Sequence, residues 1–342
     1  MTKASSLVKD FTRIDRSGFN PSLGAMGGIF VVAPLILAVV IHELALLFTV
    51  IGALLIVMME GQPIVPSGRI LLIACFTVGA AIGIGTIAAT TGGSLSLILL
   101  AVSLFVILLA RGRLNWASVS TFTAIAFALG IGLPGASLQE AGLRAIFALI
   151  GAFWGVLGVE LRRSVMDRRK RSVKIAASTL PTSQMSRAEN LRSAFVLAIA
   201  CAIGFSLGTV LGFPKDYWVI FTVIVTVRPS ISLTLTFTSL MAAGTIVGAV
   251  IGGATTILIG NETYLLTALL LLIGFLLFAL RGVNFGIMQV FVSSFIIILF
   301  NIVFPGEWFL AVYRVADVTI GIGISLAVVG LLGVFKKTQT WL

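Results

Sequence analysis

Apolar runs, broken by glycine, proline or charge, recur along this chain. Crossing a bilayer takes about 20 residues as a helix, and the runs fit that length better than they fit strands or amphipathic surface helices. We read about twelve crossings, near 24–41, 44–59, 68–89, 93–110, 114–133, 141–160, 193–212, 217–228, 236–259, 264–280, 285–304 and 310–334. The second and eighth are short, and each ends at a break: Glu60-Gly61-Gln62-Pro63 in one, Arg228-Pro229 in the other. Ahead of the first run, Leu7, Val8, Phe11 and Ile14 share one helical face, the pattern of a short helix lying on a membrane surface. The pattern predicts an all-α polytopic protein: an amphipathic cytoplasmic segment at 1–20, six helices over 21–161, a basic cytoplasmic linker at 162–190, six more helices over 191–335, and a tail at 336–342.

Composition agrees. Of the 342 residues, 59% are hydrophobic and 10% charged, and the mean hydropathy is +1.16. A soluble domain carries about 25% charged residues, so lipid must be the solvent for most of this chain. That excludes a soluble enzyme, a disulfide scaffold, a disordered chain and a coiled coil. The net charge of +11 does not imply nucleic acid, because it sits in short segments between apolar runs. Cys75 and Cys201 lie within such runs as small fillers, and with His42 the single histidine no metal-ligand spacing occurs, so no cofactor or metal is expected.

Charge also orients the chain. With the N-terminus in the cytoplasm, the inner segments hold Arg69, Arg111, Arg113, the run from Arg162 to Lys174, Arg228, Arg281 and Lys336-Lys337. The outer turns hold Glu43, Glu140, Asp216, Glu262 and Glu307, with Lys215 their one basic residue. Both termini are then cytoplasmic, in the cell (inner) membrane. The halves also repeat at an offset of about 170 residues. Val78-Gly79 to Gly83 matches Val247-Gly248 to Gly252; Arg111 with Asn115 matches Arg281 with Asn284; Pro134-Gly135 matches Pro305-Gly306; Arg144 with Gly151 matches Arg314 with Gly321. Six crossings per half make the repeats parallel, related by an axis along the membrane normal.

The second half reads Tyr217-Trp218-Val219-Ile220-Phe221-Thr222, then Arg228-Pro229-Ser230, Gly244-Thr245-Ile246-Val247-Gly248, Arg281-Gly282-Val283-Asn284 and Tyr313-Arg314-Val315-Ala316-Asp317 through Gly321. In these segments it resembles the fusaric-acid-resistance-like membrane proteins, which include bacterial aromatic acid exporters and are related to plant malate-permeable channels. The resemblance reaches the first half only through the repeat, and Met241 stands where the family usually carries an arginine. It implies a membrane transporter that exports organic anions, aromatic carboxylates among them.

Ionisable groups inside spans are costly, which makes them candidates for function. Arg144 and Arg314 occupy matching places in the sixth and twelfth spans. Asp317 lies one turn from Arg314, so that pair is expected to neutralise itself, and a packing-interface salt bridge is its plainer reading. The counterpart of Asp317 in the first half is Phe147, which leaves Arg144 short of a partner and suited to a carboxylate; snorkelling, or pairing with Glu140, is its alternative. Tyr217 and Trp218 start the eighth span, where belt anchoring is the default and stacking on an aromatic substrate the sharper option. Glu60 and Arg228 at the two breaks suit an inner gate, with solvated loop charges as the alternative. Arg281 with Asn284, and Arg111 with Asn115, are either positive-inside anchors or caps of an inner vestibule. Ser230, Ser232, Thr234, Thr236 and Thr238 alternate like a strand but are expected to be a polar lead into the ninth span. His42-Glu43 is an interfacial turn with proton coupling as its sharper reading, and the Gly-x-x-x-Gly steps are close helix packing. No catalytic apparatus is visible.

The expected function is organic-anion efflux, with a small anion and the lipid bilayer as partners and homodimer formation left open. A passive anion channel is the first alternative. The second is a membrane assembly protein acting through its linker, for which charge reversal at Arg168–Arg171 would abolish function.

Overall fold

The computed structural model describes residues 16–41, 46–60, 66–112, 116–133, 137–169, 186–228 and 231–339. The amphipathic start, His42-Glu43, Asn115, Pro134-Gly135 and most of the basic linker lie outside the described residues. Those described are helical throughout, joined by short turns. The helices are α1 (Pro21–Ile41), α2 (Leu47–Glu60), α3 (Gly68–Thr91), α4 (Gly93–Leu109), α5 (Ala117–Gly132) and α6 (Leu138–Arg169), followed by α7 (Arg187–Val210), α8 (Tyr217–Thr226), α9 (Ile231–Ile259), α10 (Thr263–Ala279), α11 (Phe285–Val303) and α12 (Leu310–Gln339). Each falls on one of the apolar runs. Eight are long and apolar enough to cross a membrane; α2, α5, α8 and α10 are apolar but shorter. This is a multi-pass membrane protein.

Several boundaries differ from expectation: the seventh helix opens at Arg187, inside the expected linker, and the twelfth continues to Gln339, into the expected tail. The ninth helix starts at Ile231, because hydroxyl groups in its first turns turn inward to the backbone. Thr236 Oγ1 donates to the Ser232 carbonyl (3.1 Å) and Thr238 Oγ1 to the Thr234 carbonyl (2.8 Å), so polar residues that mimic strand alternation are absorbed into a helix. The sixth helix continues to Arg169. Arg162 and Arg163 are therefore helical residues facing Glu60 rather than part of a linker.

The chain forms two compact units, Met1–Gly24 with Val196–Leu342, and Ala25–Phe195. Within Ala25–Phe195 the main packing partners are α2 with α6, α3 with α5 and α3 with α6. Within the other unit they are α8 with α12, α9 with α11 and α9 with α12, the same helices of each half in the same pairs. Small residues permit the approach. A side chain on Gly151 would stand 1.9 Å from the Thr49 carbonyl oxygen, and one on Gly248 would stand 2.3 Å from that of Val290. The Gly-x-x-x-Gly steps are thus contact faces between helix backbones, as in membrane helix pairs generally.

A contact at corresponding positions occurs in each unit, made by the backbone at Asn20 and by the side chain at Asn190. The Asn20 backbone N–H donates to the Ala279 carbonyl at 2.8 Å, and Gly18 abuts Gly282 so closely that a Cβ there would lie 2.2 Å from the Gly282 oxygen. In the other unit Asn190 Nδ2 donates to the Leu109 carbonyl at 2.8 Å, and the Asn190 side chain covers Gly112. Asn20 and Asn190, Ala279 and Leu109, and Gly282 and Gly112 all obey the repeat offset of about 170 residues.

Candidate functional site

A helix rises 1.5 Å per residue, so the ten residues of α8 extend only about 15 Å, half the thickness of a bilayer core. Eight of those ten are buried. A short helix enclosed by protein can hold polar groups that lipid would reject, and α8 is lined with them on the side facing α12. Thr226 Oγ1 and Ser325 Oγ are 2.7 Å apart. A turn higher, Gly321 lies against Thr222, where a side chain would sit 2.6 Å from the Thr222 Cβ. At the top of this seam stand Tyr217, Trp218, Phe221, Arg314 and Asp317.

Arg314 and Asp317 are both 0% exposed, and Tyr217 and Trp218 are 1% and 3% exposed. The guanidinium carbon of Arg314 lies 5.1 Å from the ring centre of Trp218 and 5.4 Å from that of Phe221. None of the Arg314 side-chain nitrogens, neither carboxylate oxygen of Asp317, nor the Tyr217 hydroxyl has a hydrogen-bond partner. Two expectations are corrected here. The i, i+3 spacing does not close into a hydrogen-bonded pair, because the arginine is drawn over the aromatic rings of α8 instead of back along its own helix. Tyr217 and Trp218 are not belt anchors, because α8 is covered by protein. Buried polar groups are almost always hydrogen-bonded, and rings hold only the flat faces of a guanidinium. Its in-plane N–H groups stay available, in the fork that matches a carboxylate.

A second cation adjoins this cluster and escapes the sequence reading. Lys215, in the turn before α8, is 5% exposed, with its ammonium 5.0 Å from the ring centres of both Phe300 and Phe304. Phe300 also meets Trp218, with centroids 5.9 Å apart. Burial lowers the pKa of Lys215, opposed by the charges of Glu307 and Asp216. Burial raises that of Asp216, opposed chiefly by the Thr209 hydroxyl, which donates to it at 2.7 Å. The signal for Lys215 in the sequence is its place as the one basic residue among acidic outer turns.

Among the described residues the first half shows no such cluster. The spacing leaves Arg144 short of a local partner, and the structure corrects this. Its Nη2 pairs with Glu140 one turn back, its Nη1 donates to the Leu133 carbonyl at 3.1 Å, and its guanidinium carbon lies 5.1 Å from the Phe48 ring centre. At the position that the expected repeat pairs with Glu140 stands Leu310, which offers Arg314 no carboxylate one turn back. Glu60, at the end of α2, accepts from Arg162 Nη1 (2.8 Å) and Arg163 Nη2 (2.5 Å), and Arg163 also reaches Glu160 (2.9 Å). That is an anchor between α2 and α6. Arg228 lies 4.3 Å from the Phe237 ring centre, and its backbone N–H donates to Thr234 Oγ1 at 3.0 Å. Both members of the expected gate thus have contacts within their own units. Asn284 caps α11, accepting from Gly286 N (2.7 Å) and Ile287 N (3.4 Å). Arg281 and Arg111 sit in the turns after α10 and α4, the ends expected for them.

The site falls within a recognisable family segment. Residues 197–328 match the family described as fusaric acid resistance protein-like, a stretch that contains α8, Arg314 and Asp317. Over 142 residues the chain is 28% identical to inner membrane protein YccS of Escherichia coli (strain K12), which is 41% of this chain and 19% of that relative. The chain thus aligns with about a fifth of the relative's length. No solved structure matches. The likeness to the fusaric acid resistance-like membrane proteins is thus carried by residues 197–328, in the second half of the chain.

Proposed function

We propose that this protein exports small organic anions across the inner membrane, and that the carboxylate of the anion is held by Arg314. The observation that carries the proposal is a fully buried guanidinium whose nitrogens all lack partners, flanked by Trp218 and Phe221. An anionic carboxylate supplies the two acceptors that this fork lacks. Beside it the aromatic faces and the Tyr217 hydroxyl suit the ring and polar substituents of an aromatic acid, and Lys215 adds positive potential next to them. The family match over residues 197–328 supports transport, and direction and substrate class come from the family resemblance. The inner-membrane assignment follows the relative's name.

The arrangement we favour is twelve crossings in two parallel six-helix repeats, with both termini cytoplasmic. The recurring helix pairs and the contacts made at Asn20 and Asn190 support it, and short segments such as α2 and α8 are of the kind that transporters use for cargo binding.

The test is uptake of benzoate and a panel of other carboxylates into proteoliposomes. Arg314→Gln is expected to cut saturable flux at least about tenfold, since a charge-assisted bidentate contact contributes roughly 1.5–3 kcal/mol. Arg144→Gln is expected to cut it less. Undiminished flux in Arg314→Gln would refute the assignment. A large steady current under voltage clamp, without saturation, would indicate a channel instead.

A further inference from the structure

Arg314 and Asp317 stand one turn apart on α12, both wholly enclosed, and neither hydrogen-bonds the other or anything else. With both ionised and no ligand present, the pair sums to zero. An anion arriving at Arg314 adds a second negative charge to an enclosure that holds one guanidinium. Two anions against one cation is costly in a low-dielectric interior, and a proton is the small cation always at hand to remove the excess. We propose that anion binding at Arg314 is coupled to protonation of Asp317, so that the site carries one anion and one proton together. The inference rests on the assignment of Arg314 as the anion's anchor.

The balance is simple. A proton from water forms an O–H bond on one carboxylate oxygen of Asp317, and the anion's carboxylate accepts hydrogen bonds from Arg314. On release both steps reverse, with Asp317 returning its proton to water. Neutral Asp317 no longer repels the anion, and its new hydroxyl can donate to it.

The charged surroundings leave this role to Asp317. On its own helix the ionisable residues within about a turn are Arg314 and Tyr313, and from α8 and the preceding turn come Tyr217 and Asp216, the latter adding further negative potential. Neither α9, nor α11, nor the 196–210 stretch of α7 contains an ionisable side chain apart from Cys201. Lys215 and Glu307 lie in the adjoining turns. Lys215, losing its charge, and the tyrosines, gaining one, are the other groups whose titration would weaken anion binding in alkali, so the experiment compares the wild type with Asp317→Asn and Lys215→Met.

The probe is benzoate, titrated into the full-length protein in lipid nanodiscs from pH 5 to pH 10. Proton uptake is read from binding heats in buffers of different ionisation enthalpy. In the wild type, Kd is expected to be flat in acid and to climb toward about tenfold per pH unit in alkali, with one proton taken up per benzoate bound across that rise. Asp317→Asn, which keeps the shape and removes the charge, should bind at the acid-limit affinity through the wild-type rise without taking up a proton. A wild type that binds benzoate with no proton uptake at any pH overturns the coupling and leaves the anion site standing. An alkaline rise that persists unchanged in Asp317→Asn and vanishes in Lys215→Met also overturns it. A wild type that binds no benzoate, nor any other carboxylate of the panel, overturns the anion site and the coupling together.

Discussion

Lys215 carries its ammonium between two phenylalanine rings, in a turn that could have left it in water. Cation–π contact recovers part of the lost hydration, yet burial still holds the folded-state pKa below the ordinary 10.5. The sign follows from proton counting. Between the depressed value and 10.5 the unfolded chain binds more protons than the folded one, so the stability cost is complete below that window and fades as pH rises through it. Asp216, raised above 3.8 by burial, works the other way, its cost being complete above its raised value and relieved as pH falls toward 3.8. Lys215→Met should therefore raise the thermal midpoint while lowering anion affinity, and the gain in midpoint should shrink as pH rises toward 10.5. Glu60 presents the opposite case: it is buried and answered by two arginines. Glu60→Ala should cost about 3 kcal/mol, because two guanidinium groups lose their shared carboxylate; a thermal midpoint within a degree of wild type would refute this.

Among the elements, packing depends on which glycines touch backbone. Gly248→Ala places a methyl group 2.3 Å from the Val290 oxygen and should cost about 1–3 kcal/mol through forced separation of α9 and α11. Gly323 is also in a helix, and a methyl group added there would meet nothing within 4 Å; Gly323→Ala should be neutral or stabilising by about 0.5–1 kcal/mol. Thermal unfolding of both variants in one detergent compares them directly. The positions of the helices were legible from the apolar runs alone, because nothing but a spanning or enclosed helix absorbs such runs. So were Arg314, Asp317, Tyr217 and Trp218, since charge and hydroxyl stand out against apolar surroundings. Which arginine is answered was not. A one-turn spacing permits both Arg144–Glu140 and Arg314–Asp317, and the choice falls to rings on α8 almost a hundred residues away in sequence. Lys215 was hidden for the same reason, since Phe300 and Phe304 are distant in the chain.

For the molecule as a whole, the charge distribution yields a topology that can be tested residue by residue. Cys75 and Cys201 are buried, so they give little background. Cysteines introduced at Gly92 and Glu262 should react with a membrane-impermeant thiol reagent in intact cells, and one introduced at Arg187 only after permeabilisation. Equal labelling of all three from outside would overturn the proposed orientation. The contacts at Asn20 and Asn190 bear on how the chain divides. Asn190 opens the helix that leads into the second half, yet it fastens a turn of the first; Asn20 stands ahead of the first helix and fastens a turn of the second. Each compact unit therefore borrows a short segment from across the middle of the chain, residues up to Gly24 joining the C-terminal unit and residues up to Phe195 closing the N-terminal one, so cutting the chain at its basic linker would strip each unit of part of itself.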